Sequence, residues 1–149
     1  MDVAFEEENC CIPEYEQLRK VKDDDLAYGL LGASIAEKRF TLRVILHLLE
    51  FERRSLHLKA GYGSLFDYCT QKLKYSASAA MRRIRAARCI RNYPEVYWKL
   101  KNGELGLSTI SQVTGIVNRD NAADVFKRIS NKSQREVGYT WRHHKLRLH

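Results

Sequence analysis

The chain has 149 residues, of which 44% are apolar and 30% are charged. This balance is typical of one globular domain and excludes a disordered or a membrane-spanning protein, since no apolar run approaches the roughly 20 residues needed to cross a bilayer. The acidic start of the chain is unlike a secretory signal, so we expect a cytoplasmic location. The formal net charge of +8 is uneven, because residues 1–25 carry nine acids and three bases whereas residues 26–149 carry nine acids and 23 bases. A domain this basic usually binds a polyanion.

The predicted elements are all helical, because nowhere do β-branched and aromatic residues alternate with polar ones over the length of a strand. Residues 1–22 lack a helical period and are predicted to form an acidic, flexible leader. Residues 23–141 are predicted to form a single all-α domain of about six to eight helices. Residues 142–149 are predicted to be a basic tail, frayed from the domain.

The first predicted helix begins at Asp23–Asp25, where acids favour a helix start. A stronger helix is predicted from Thr41, as its N-cap, to Lys59, and Gly61–Gly63 should end it. A short helix then opens at Ser64, which with Asp67 resembles a capping box.

Ser76 is a natural N-cap for a long helix that ends near Asn92. A short helix, a three-residue turn and a long helix also form the geometry by which helix-turn-helix proteins place a helix in the major groove. Lys74 occupies a turn position at which glycine is more typical. Later helices are predicted over Pro94–Lys101, from an N-cap at Ser108, over Asp120–Ile129 until a stop at Asn131, and from a second capping box of Ser133 and Glu136 into Trp141.

The segment Tyr68–Pro94 contains seven bases and no acid. At about 100° per residue, the long helix places Ala77, Ala80, Ile84 and Ala87 on one face and Ser78, Arg82, Arg85 and Cys89 on the opposite face. An arginine fork can bind phosphate or the acceptor edge of guanine with two hydrogen bonds, so we expect this surface to contact double-stranded DNA. Arg82, Arg85 and Arg88 are the predicted primary contacts. The predicted DNA-binding residues are Lys72, Lys74, Ser78, Arg82, Arg83, Arg85, Arg88 and Arg91.

Other functions fit the same residues, because charge alone carries no base specificity. The basic helix is also compatible with a solvated structural face, with the docking of an acidic partner, or with screening by the acidic leader. The main alternative is a protein–protein interaction or oligomerisation module, a homodimer among its forms, built on the helix Thr41–Lys59.

Catalytic and metal sites are not expected. The four cysteines form no CxxC pair, and His47 and His57 are ten residues apart instead of the four of a helical zinc pair. Glu50 and Glu52 are expected to form surface ion pairs with Arg53 and Arg54. No cofactor is predicted.

A long series of residues matches the pattern of one known family. Its most specific part is the block Gly61-Tyr62-Gly63-Ser64-Leu65-Phe66-Asp67-Tyr68-Cys69-Thr70. Further matches are Thr41, Val44, Leu46, His47, Leu48, Glu50, Arg53, Arg54, Leu56, Leu73, Tyr75-Ser76, Ala79-Ala80, Arg82-Arg83-Ile84, Ala86-Ala87-Arg88, Pro94-Glu95-Val96, Leu100, Gly103, Leu105, Leu107-Ser108, Lys132-Ser133 and Arg135-Glu136-Val137. Residues 37–137 therefore resemble the helical N-terminal region of bacterial HNH-endonuclease-family proteins.

The resemblance implies a role in positioning on DNA. The HNH nuclease domain itself, which follows that region in the family, is not matched, because His143-His144 lacks the surrounding strands, asparagine and metal ligands. No catalytic residue is carried over. We therefore expect a non-catalytic module, either a natural stand-alone or truncated member or a product whose reading frame shifted near its end.

Overall fold

The computed structural model describes residues 12–144, and this part of the chain is entirely helical, which confirms the all-α prediction. None of its helices combines the length and the apolar character that crossing a bilayer requires. The described elements are α1 (Pro13–Arg19), α2 (Asp23–Arg53), α3 (Leu56–Lys59), α4 (Leu65–Asp67), a π-helical turn (Tyr68–Lys72), α5 (Ala77–Asn92), α6 (Glu95–Lys101), α7 (Leu107–Val113), α8 (Ala122–Ile129) and α9 (Gln134–His144). These nine α-helices within residues 12–144 exceed the six to eight expected, because α3 and α4 are single turns.

The chain divides into two compact units, Met1–Lys38 and Arg39–His149. In the first unit, α1 lies within the segment predicted to be a flexible leader, so that prediction is wrong for Pro13–Arg19. Proline has a preset φ and needs no hydrogen-bond partner for its nitrogen, and it therefore suits the first position of this helix. None of the described residues of this unit is buried. The predicted leader before residue 12, including Cys10 and Cys11, lies outside the described residues. The predicted tail was expected to be frayed from residue 142, but residues 142–144 continue α9, and the rest of the tail lies outside the described residues.

Helix α2 is one continuous helix from Asp23 to Arg53, so the predicted start at Thr41 is wrong. The start at Asp23 is confirmed. The segment that joins the two expected helices consists of Ala36, Glu37, Lys38 and Arg39, all of which are good helix formers, and nothing in it interrupts the hydrogen-bonding pattern. The predicted end at Lys59 is also wrong. The helix ends at Arg53, because Ser55 adopts a left-handed φ of 53° and separates α2 from the single turn α3.

The second unit has a core centred on α5, which packs mainly against α7. Small side chains on α5 allow the two helices to approach closely. Val137 of α9 also belongs to this core. The largest fully buried side chains of the core are Phe126, Ile45, Ile84, Ile110, Ile129, Val96, Val113, Val137 and Cys69.

Most of the predicted helix ends are confirmed. The backbone N–H of Glu136 donates to Ser133 Oγ over 3.3 Å, and the Ser133 N–H donates to Glu136 Oε2 over 2.6 Å, which completes the second capping box. The predicted cap at Ser108 is wrong, because α7 begins at Leu107 after Gly106. Thr109 Oγ1 accepts from the Gly106 N–H over 3.1 Å and so satisfies the backbone at this end.

Candidate nucleic-acid interface

Helix α5 is positioned by the hairpin that precedes it. Ser76 Oγ accepts from the Ala79 N–H over 3.2 Å, which confirms the predicted N-cap. Lys74 has a left-handed φ of 62°, a conformation in which glycine is more typical than lysine. The short helix of the hairpin is α4 followed by the π-helical turn, and the Tyr75 N–H donates back to the Cys69 carbonyl over 3.1 Å. This hydrogen bond closes the turn and fixes where α5 begins.

The buried side of α5 agrees with the prediction in its middle and differs at its ends. Ala80, Ile84 and Ala87 are buried as predicted, whereas Ala77 is exposed. Cys89 was predicted on the exposed face beside Arg82 and Arg85, and this is wrong because it is buried. The periodicity of α5 contains no information about α7, which packs against it and extends the buried side around the helix.

Five of the seven predicted basic contacts carry no ion pair within residues 12–144, and one of them, Arg83, is described separately below. Lys72 and Lys74 are exposed at the hairpin, Arg85 is exposed on α5, and Arg82 is half-buried one turn earlier. Ser78 is exposed, and its Oγ lies 3.5 Å from Ser76 Oγ. These side chains can be approached by a ligand without breaking a salt bridge.

Two predicted contacts are neutralised by an acid from another helix. Arg88 donates to Glu52 of α2 through Nε over 3.0 Å and through Nη2 over 2.7 Å, and Arg91 Nη1 lies 3.7 Å from Glu52 Oε2. The hydrogen bond from Arg88 lowers the pKa of Glu52, against the smaller opposing effect of burial. The bases of the acid-free segment are therefore not all uncompensated.

Glu50 forms the ion pairs that the sequence predicts, whereas Glu52 does not. Glu50 accepts from Arg53 and Arg54, with Oε1 at 2.6 Å from Arg53 Nη2 and from Arg54 Nε, as predicted. These hydrogen bonds lower the pKa of Glu50 to about 2. Glu52 was expected to pair with the same arginines and instead turns towards α5.

Arg83 is held against the protein. Its guanidinium carbon lies 4.7 Å from the ring centroid of Tyr75, and its Nη1 donates to the Ala79 carbonyl over 3.1 Å. Its Nε is buried without a hydrogen-bond partner. Arg83 therefore braces the turn before α5 and projects less than the arginines on either side.

Arg85, Arg88 and Arg91 converge on an open depression beside the C-terminal half of α5. Its volume is about 300 Å³. The lining residues are Arg85, Arg88, Cys89, Arg91, Asn92, Tyr93, Thr114 and Val117. No acid is among them. The depression therefore presents Arg85, which is unpaired within residues 12–144, together with Arg88 and Arg91, which also contact Glu52, and polar groups suited to an anionic oxygen.

The histidines and cysteines form no comparable constellation. His47 Nδ1 lies 2.6 Å from the Arg43 carbonyl, and His57 Nδ1 is buried without a hydrogen-bond partner. Among the described residues, no three His, Cys, Asp or Glu side chains come together in a way that suits a metal ion. Cys69 and Cys89 are free and buried, and burial raises the pKa of Cys89 to about 11.

An apolar groove on the second unit was not predicted from the sequence. Its volume is about 460 Å³. It is lined by Phe40, Arg43, Val44, His47, Leu48, Phe51, Tyr68, Leu73 and Tyr75. The three- and four-residue spacing of the α2 members was visible in the sequence, but it indicated core and not an open groove.

Comparison of this chain with protein-family models, with curated protein sequences and with solved structures finds no match. The resemblance to the HNH-endonuclease family therefore stays a prediction from the residues quoted above.

Proposed function

We propose that the second unit is a non-catalytic DNA-binding module that contacts the phosphate backbone of double-stranded DNA through α5. The observation that carries this assignment is the convergence of Arg85, Arg88 and Arg91 on a depression that no acid lines. Arginine binds phosphate through paired, charge-assisted hydrogen bonds. A phosphate group is thus the ligand whose charge and geometry fit the depression best.

The contact surface extends from the depression towards the N-terminus of α5. Arg82 precedes Arg85 by three residues, which places it on the neighbouring turn of the same side of the helix. Lys72 and Lys74 add two exposed charges at the hairpin. Successive phosphates along one DNA strand would meet these groups in turn, with the depression receiving one of them.

The carboxylate of Glu52 would compete with DNA phosphates for Arg88 and Arg91. It holds Arg88 and Arg91 in place in the absence of DNA, and a phosphate that binds them must weaken that salt bridge. We therefore expect α5 to bind DNA reversibly and with strong dependence on salt, as contacts to phosphates require.

Phosphate contacts position a protein on DNA and do not specify its sequence. The assigned role is therefore positioning, which agrees with what the resemblance to the N-terminal region of HNH-endonuclease-family proteins implies. A module of this kind would bring an attached or associated activity to DNA.

The test is fluorescence anisotropy of a labelled duplex at low salt. The double variant Arg82→Ala/Arg85→Ala should bind at least about tenfold more weakly than the wild type, since each lost phosphate contact costs roughly 1 kcal/mol. The matched control is Arg119→Ala/Lys127→Ala, which removes the same charge from exposed positions outside α5 and should bind nearly as well as the wild type. Equal losses in both variants, or no binding by the wild type, would exclude α5 as the DNA contact.

The alternative is an interaction module, and the apolar groove beside α2 is the observation that favours it. Grooves of this size accept apolar side chains of a partner. A Leu73→Ser variant removes an apolar side chain from the groove at a partly exposed position and leaves the charge beside Lys72 and Lys74 unchanged. It should leave DNA binding intact if α5 is the DNA contact, and a loss of DNA binding would point to the groove instead.

A further inference from the structure

The N-terminal half of α2 is apolar and uncovered. Residues 26–36 contain no charged side chain. Tyr28, Leu31 and Ile35 are 77%, 57% and 44% exposed, and their spacing of three and four residues places them in one stripe along the helix. No residue of the first unit from residue 12 onwards is buried, so this part of the unit does not cover the stripe.

Two glycines in the same segment are unused by the fold. Gly29 and Gly32 lie inside α2, and a side chain added at either would meet nothing within 4 Å. Glycine in a helix interior lowers helix stability relative to alanine, and it is useful where another backbone approaches closely. Among residues 12–144 no backbone approaches these two positions, so a close contact there would have to come from a binding partner.

The charges on either side of the segment indicate what that partner is. Asp23, Asp24 and Asp25 precede the uncharged stretch, and Lys38 and Arg39 follow it. An antiparallel second copy of the same helix would place the acids of each copy beside the bases of the other. A parallel arrangement would place like charges together.

We propose that residues 23–39 of α2 pair with the same residues of a second copy of this chain, antiparallel, to form a homodimer. With the two-fold axis between Leu31 and Ile35, Leu31 of each copy packs against Ile35 of the other. In this register Gly32 lies beside Gly32 of the second copy, and Asp25 lies beside Arg39 of the second copy. The apolar stripe, Gly32 and the flanking charges are then all satisfied by one partner, whereas Gly29 lies outside the interface.

The paired segment is short, at about 25 Å of helix. It therefore buries less area than a standard stable interface, and we expect a reversible dimer in the micromolar range. The test is sedimentation velocity of the full-length chain over a concentration series without DNA, which separates dimer formation from DNA binding. The wild type should shift from monomer to dimer, and a monomer at every concentration would overturn the inference.

Charge reversal tests the antiparallel arrangement. Lys38→Glu/Arg39→Glu should weaken dimerisation about tenfold, because exposed attractive pairs become repulsive. Adding Asp24→Lys and Asp25→Lys to the same chain should restore it, a result that only an antiparallel pair gives. Glu37→Lys is the matched control, since that residue lies on the far side of α2 from the stripe and should change dimerisation little.

Gly32→Leu separates the interface from the stability of the helix. Leucine favours the helix, so the monomer keeps its helical content by circular dichroism, whereas the bulky side chain should abolish the dimer. A dimer that survives Gly32→Leu and the charge reversal but is lost in Leu73→Ser would show that the apolar groove is the interface, and would overturn the assignment to residues 23–39.

Discussion

The two halves of α5 carry the same kind of side chain in different electrostatic settings. In the first half, Arg82 and Arg85 have no ion pair within the described part of the chain, whereas in the second half Arg88 and Arg91 share Glu52. The acid comes from α2, 36 residues before Arg88 in the chain. A count of basic residues in a sequence segment is therefore not a count of cations that are available to a ligand.

Because only the second half of α5 is paired with an acid within residues 12–144, its arginines should contribute more to stability, and those of the first half more to ligand binding. The arginines of the second half pair with Glu52, and under the proposed function a DNA phosphate would have to compete with that carboxylate for them. Arg82 and Arg85 stabilise the described fold through no salt bridge, so their charge is available to phosphate at no such cost. Substitutions in the two halves should accordingly have opposite profiles.

The largest expected effect is a loss of stability caused by a substitution in the buried middle of α5. Ile84 is buried in the middle of α5, and Ile84→Ala should lower the free energy of unfolding by about 2–5 kcal/mol through the cavity it leaves. Urea denaturation measures this loss. Under conditions where the variant is fully folded, its DNA affinity should match that of the wild type, because the cavity lies in the core and removes no arginine from either half of α5. A selective loss of binding would instead show that core packing sets the arginine positions.

DNA affinity should distinguish the halves next. Arg85→Ala should weaken binding about fivefold, and Arg88→Ala about threefold or less, because the wild-type Arg88 must first give up part of its interaction with Glu52. Anisotropy titrations at one salt concentration give both values. The reverse order would mean that Glu52 preorganises Arg88 for phosphate more than it competes.

Stability should show the opposite order. Arg88→Ala should cost about 1 kcal/mol, because it removes a two-pronged interaction with a carboxylate whose side chain is only 19% exposed. Arg85→Ala should stay within about 0.5 kcal/mol of the wild type, since surface substitutions without partners change stability little. Urea denaturation midpoints of the two variants measure the difference, and equal midpoints would contradict the contrast between the halves.

The smallest effect is a dependence on pH. The pKa of Glu52 is lowered from its ordinary value of 4.5 in the folded protein, so its ion pairs stabilise the fold fully above that value and are lost as the pH falls through the lowered pKa. Glu52→Gln should therefore reduce the difference in unfolding free energy between pH 7 and pH 3, by less than about 1 kcal/mol because both arginine partners are about half exposed. Urea denaturation of both proteins at the two pH values checks this. If the wild type and the variant lose the same unfolding free energy between pH 7 and pH 3, the ionisation of Glu52 does not contribute to the pH dependence of stability.

Local signals in the sequence were sufficient for much of the fold. Ser76, Gly61 and the pair Ser133–Glu136 mark helix ends because capping and left-handed turns are decided within a few residues. The periodic residues of α8, Ala122, Val125, Phe126 and Ile129, are all buried as their spacing indicated.

Long-range packing explains what was missed. Glu52 was assigned to nearby arginines because its partners on α5 are distant in sequence, and Cys89 was placed outside because the packing of α7 on α5 is not encoded in the period of α5. Thr41 was taken as an N-cap because threonine often is one, but continuous helix formers on both sides decided otherwise. The candidate contact residues were identifiable from the acid-free segment, whereas the division between paired and unpaired arginines required three-dimensional structure.

The central claim is that Arg82 and Arg85 contact DNA phosphates, and the salt dependence of binding tests it most directly. The logarithm of the association constant falls with the logarithm of salt concentration by about 0.9 per phosphate contact. Arg82→Ala/Arg85→Ala should make the slope less negative by about 2 relative to the wild type, since two contacts are lost. A wild-type protein and a double variant with the same slope and the same affinity would contradict the assignment of these arginines to DNA.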